Sequence, residues 1–121
     1  MASILSLGTK MFRTRNSARD SGTDMDRFMT VRRSVEAAIE SATRERRGLQ
    51  QRVDVYYAQA TSLLDNSAEF GQRSDQDEDA IGDAEKNAAT ARARIRQISA
   101  HIDQLNAMLS GVDAALNSEP A

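Results

Sequence analysis

At 121 residues, with hydrophobic residues at 40%, aromatics at 4%, no Trp and a single Pro at position 120, the chain has material for one domain at most. The lack of Cys excludes disulfides and thiolate metal sites, and a net charge of −2 argues against wholesale neutralisation of a phosphate backbone. No apolar run approaches the length of a membrane span, and the prominence of Ala, Arg, Asp, Gln, Glu and Leu is that of long helices.

Residues 1–24 carry a net charge of +2 from Lys10, Arg13, Arg15 and Arg19 against Asp20 and Asp24. Ile4, Leu5, Gly8, Met11 and Phe12 share one helical face, followed by arginines with no acid before Asp20. The segment reads as a flexible basic leader. Its alternative is a short amphipathic helix that lies on a membrane surface or directs export. A leader with no such role, ahead of a start at Met25, is the competing reading.

From Met25 a repeat of seven runs without slippage. Its d positions are Phe28, Val35, Ala42, Leu49, Tyr56, Leu63 and Phe70, apolar throughout. Its a positions are Met25, Arg32, Ile39, Arg46, Val53, Ala60 and Ser67, with three polar interruptions. The pattern predicts a helix over about 25–70, with Thr23 or Asp24 as N-cap.

Residues 65–80 then hold one large apolar side chain, Phe70. Gly71 suits the residue just past a helix end. Ser74 suits an N-cap, with Asp77 at the capping-box offset and Asp75, Glu78 and Asp79 near the positive end of the helix dipole. The spacing thus predicts a turn at 71–74. The heptad phase is nevertheless preserved across the gap, so one long continuous coiled-coil helix satisfies the same pattern.

The second run has a positions Ile81, Ala88, Ile95, Ile102, Leu109 and Leu116, and d positions Ala84, Ala91, Ile98, Leu105 and Val112, with no polar break. It predicts a helix over about 75–117 and a disordered tail at 118–121. In an antiparallel hairpin, opposed positions add to 144. Tyr56 then faces Ala88, Ala42 faces Ile102, and the alanines gather toward the turn, an alternation of large and small that lets layers interdigitate. Arg32 and Arg46 face Val112 and Ile98, and Arg32 is within reach of Asp113. The expected fold is therefore all-α, an antiparallel two-helix coiled-coil hairpin. Two helices leave each seam half wet, so self-association into a helical bundle is expected to complete it.

Motifs with chemistry are few. Asp75, Asp77 and Asp79 match three calcium-loop positions, but the required Gly and Glu are Ala80 and Lys86, so an acidic helix start is the better reading. Arg44, Arg46, Arg47, Arg52, Arg92, Arg94 and Arg96 ring the middle of the expected hairpin as a basic patch for a partner. Weak nucleic-acid binding through this belt is an alternative function, but Glu45 and Asp54 dilute it and no aromatic interleaves for base stacking, which makes nucleic acid an unlikely ligand. His101 stands alone, which rules out a structural zinc site within one chain.

These residues predict a non-enzymatic protein without cofactor, metal or small-molecule substrate. It is expected to be cytoplasmic, or membrane-associated or exported through residues 1–19. A coiled-coil interaction protein is expected, a homo-oligomer with a dimer favoured, or one paired with a helical partner, docked on a larger assembly. At the level of fold alone such a hairpin is similar to the stalk-like coiled coils of type III and flagellar export ATPases and to small secretion chaperones. That resemblance implies an adaptor, chaperone or stalk-like role.

Overall fold

The computed structural model describes residues 16–70 and 74–118, with backbone alone for 68–70. The described residues form two helices, α1 (Ser17–Phe70) and α2 (Asp75–Ser118), packed against each other as a hairpin. The single continuous helix is therefore not formed. Folding back buries aliphatic side chains that an extended helix would leave in water. Gly71 lies outside the described residues, as do the leader residues Ile4, Leu5, Met11, Phe12, Arg13 and Arg15.

α1 begins at Ser17 rather than near residue 25. Asn16 is the cap, not Thr23 or Asp24. Its Oδ1 accepts from the Ala18 amide at 3.0 Å, and its carbonyl accepts from the Asp20 amide at 3.0 Å. The Thr23 hydroxyl instead donates back to the Arg19 carbonyl at 3.1 Å. Residues 17–24 carry no apolar periodicity, so the heptads do not announce them. Once a helix is nucleated, each added residue gains one backbone bond, and the helix runs back to the first good cap.

The start of α2 is as expected. Ser74 Oγ accepts from the Asp77 amide at 3.0 Å, and the Ser74 carbonyl accepts from the Glu78 amide at 3.0 Å. Asp75, Asp77 and Glu78 lie in the first turn, where the helix dipole favours carboxylates. Ser74→Ala is expected to cost about 1 kcal/mol, the usual worth of a serine cap, read as a lower midpoint in chemical denaturation. α2 continues to Ser118, one residue past its expected end.

The chain divides into two compact units, Met1–Ala37 with Asn106–Ala121, and Ala38–Leu105. In the first, no described residue is fully buried: Phe28, Val35, Leu109, Val112 and Leu116 are all half-exposed. Arg32 Nε donates to Asp113 Oδ1 at 2.8 Å, the contact expected from the pairing, and the same guanidinium pairs with Glu36. The hydrogen bond and charge of Asp113, with Glu36 beside it, raise the Arg32 pKa. An arginine is already protonated in neutral solution, so this shift adds no pH dependence there.

The second unit holds the core. Val53 and Ala60 from α1 are buried with Ile81, Ala84, Ala88, Ala91, Ile98 and Ile102 from α2. Ala60 clusters with Ile81 and Ala84, and Tyr56 and Leu63 pack against the cluster. Half of the eight core residues are alanine. Small side chains let the two backbones approach closely but contribute little apolar area each. The direction is antiparallel: Ala60 meets Ile81 and Ala84, while Glu45 and Arg46 meet Arg94 and Ser99. The half-buried Arg46 lays its stem along the seam and donates from Nη1 to Ser99 Oγ at 3.3 Å, keeping its charge at the surface.

Candidate interaction surface

The seam positions behave differently along their length. Val53, Ile81, Ile98 and Ile102 are buried, whereas Ile39, Ala42, Leu49, Tyr56, Leu63, Ile95 and Leu105 remain half-exposed. A core side chain that helices on only two sides enclose keeps one flank in water. Beyond the seam, Met25, Val31, Val55, Tyr57, Leu64 and Met108 are exposed.

The arginines do not act as one free belt. Arg94 reaches across to Glu45 with two bonds, Nε to Oε2 at 2.9 Å and Nη2 to Oε1 at 3.4 Å, and its Nη1 donates to Gln97. This bidentate pair links α2 to α1 and neutralises one basic charge. The Arg92 guanidinium lies 5.2 Å from the centroid of the Tyr57 ring, a cation–π arrangement that covers an aromatic face otherwise open to water. Arg46 is held by Ser99. Arg44, Arg47, Arg52 and Arg96 make no ion pair among the described residues.

The acidic start of α2 is helical from Asp75, so Asp75, Asp77 and Asp79 project from successive positions of a helix and cannot wrap one ion. Among the described residues no group of three or more carboxylate or imidazole side chains converges on a metal position. His101 is exposed. No helix is long and apolar enough to cross a membrane among the described residues.

Open hollows lie on the second unit among the described residues. One, about 650 Å3, is lined by Val55, Ala58, Gln59, Ser62 and Leu63 of α1 and by Ala80 of α2. A second, about 470 Å3, is lined by Gly48, Gln51, Arg52, Val55 and Tyr56. A third, about 320 Å3, is lined by Thr43, Arg46, Arg47 and Gln50 of α1 and by Ile95 of α2. No pair of titratable side chains is set for acid–base chemistry in any of them.

Heptad counting gives no sign of the two hollows that meet at Val55. The available signal is weak: Gly48, Val55 and Ser62 recur every seven residues, off the seam, as small or β-branched side chains among polar ones. No family model, curated protein or solved structure matches this chain.

Proposed function

We propose that the chain is a non-enzymatic coiled-coil interaction protein that self-associates, as a dimer in the simplest case, and through the completed bundle docks on a larger assembly. The observation that carries this reading is the unfinished burial of the hairpin. Phe28, Val35, Ile39, Leu49, Leu105 and Leu109 sit at seam positions yet remain half in water, while Val53, Ile81, Ile98 and Ile102 are the large seam side chains that are buried among the described residues. Leaving such area wet forgoes about 25 cal/mol for every Å2 of apolar surface. A second set of helices laid on it recovers that term, as in four-helix bundles.

Light scattering or sedimentation equilibrium of the full chain tests this directly. A mass of at least twice 13.3 kDa at micromolar concentration is expected. A monomer across that range refutes self-association.

A further inference from the structure

In the second unit the helix pair is closed on one side of α1 and open on the other. At the a positions Val53 and Ala60 are buried, and on the same side Arg46 bonds Ser99 and Arg92 covers Tyr57. At the d positions Ala42, Leu49, Tyr56 and Leu63 are all half-exposed. With 3.6 residues per turn, the columns next to d on the open side are g and then c. Glu45 and Arg52 belong to the g column, and Ser41, Gly48, Val55 and Ser62 form the c column. The hollow of about 470 Å3 opens on this face, with Gly48 in its wall. A β-carbon built on Gly48 meets nothing within 4 Å, so another helix has room to approach.

We propose that a second copy of this chain covers this face, its α1 antiparallel to the first, with the two-fold axis between Gly48 and Leu49. The proposal rests on the self-association reading and names its surface and register. Each layer then combines a d residue of one copy with a c residue of the other, and large sits beside small. Leu49 falls level with Gly48, Tyr56 with Ser41, Leu63 with Ser34, and Val35 with Ser62. Over residues 34–63 one d residue is small, Ala42, and one c residue is large, Val55; these two fall level with each other. Between the columns Glu45 of each copy comes level with Arg52 of the other. Arg52 makes no ion pair among the described residues, and the Glu45 side chain stays 48% exposed while bound to Arg94.

Neighbouring registers lack this match. A slide of one heptad in one direction sets Arg52 level with Arg52 and Ala42 with Ser62. The opposite slide sets Glu45 level with Glu45 and Ala42 with Gly48. A parallel pair puts both like-charge contacts in register. Like charges in apposition cost free energy, and small beside small leaves a void. The face is thus complementary to itself in size and sign, which is what a two-fold interface requires. It also covers the α1 d column from Val35 to Leu63, half-exposed at every position, whose unfinished burial argues for self-association.

The chain has no cysteine, so single substitutions report the register without background. Under mild oxidation of the full chain, Gly48→Cys, beside the axis, is expected to form a covalent dimer. Ser41→Cys and Val55→Cys should each stay uncrosslinked alone but form a mixed dimer when combined. Self-crosslinking of either Ser41→Cys or Val55→Cys signals another register and overturns the proposal, as does no crosslinking at Gly48→Cys.

A second arm uses mass. Arg52→Glu, at an exposed position, should keep its helicity by circular dichroism yet associate at least about tenfold more weakly, because it sets acid level with Glu45. Glu45→Arg should weaken dimers in the same way. Mixing the two variants should restore association, since only the mixed pair sets opposite charges level. If wild type dimerises but Arg52→Glu does so equally well, this surface is wrong and self-association stands. If wild type is monomeric, both readings fail together.

Discussion

Ile98→Ala is expected to lower the unfolding free energy by about 2–5 kcal/mol, the range for truncating a buried isoleucine. Ile98 is 2% exposed, the least exposed large side chain in the chain's core. It lies toward the far end of the buried stretch of α2, between the buried Ala91 and Ile102. Truncation removes its transfer free energy and leaves a void that two long helices close only in part. The measurement is chemical denaturation at a fixed protein concentration, because association would make stability depend on concentration. Met108→Ala supplies the control: that side chain is 58% exposed, and its loss should stay within about 0.5 kcal/mol. Equal effects at the two positions would mean that α2 does not turn Ile98 toward α1.

Ala88→Leu is expected to destabilise by about 1–3 kcal/mol through the opposite error, overpacking. Ala88 is 0% exposed, and the neighbouring core positions Ala84 and Ala91 are also small. The interhelical spacing at this level is set by methyl groups. Leucine adds three heavy atoms where there is no volume for them, so the helices must separate or the side chain must leave its rotamer. Separation would also loosen Ala60, Ile81 and Ala84, which pack together one helical turn and more toward the start of α2. Ala89→Leu is the paired control. Residue 89 is exposed, and leucine is nearly as good a helix former as alanine, so little change is expected there. If Ala88→Leu is as mild as Ala89→Leu, the close approach of the helices is refuted.

Both substitutions probe features that the sequence shows only in part. The heptad columns identify which side chains share a face. Every seam residue between Phe28 and Leu116 with a described side chain is buried or half-buried, the polar interruptions Arg32, Arg46 and Ser67 included. The columns do not say how deep each goes. Val53 and Leu49 occupy neighbouring seam positions on α1, yet the first is buried and the second is not. The difference depends on what lies across the helix pair, and one helix's periodicity carries no information about that distance.

The arginines teach the same lesson from the surface. Their clustering is legible as a composition bias. The bidentate Arg94–Glu45 pair and the placement of Arg92 over Tyr57 are not, because both depend on the axial offset between two helices. Pairing withdraws part of the charge that a sequence count would assign to a partner.

The sequence by itself determined the all-helical class, the two apolar stripes and the serine cap at the head of α2, since all three follow from the 3.6-residue turn and from unsatisfied backbone amides. Tertiary structure alone decided that the chain folds back instead of running on, because the heptad phase is the same across residues 65–80 in either case. It also decided which seam side chains are buried and which stay half-exposed. Periodicity is a property of one helix, whereas burial, pairing and exposure are properties of two.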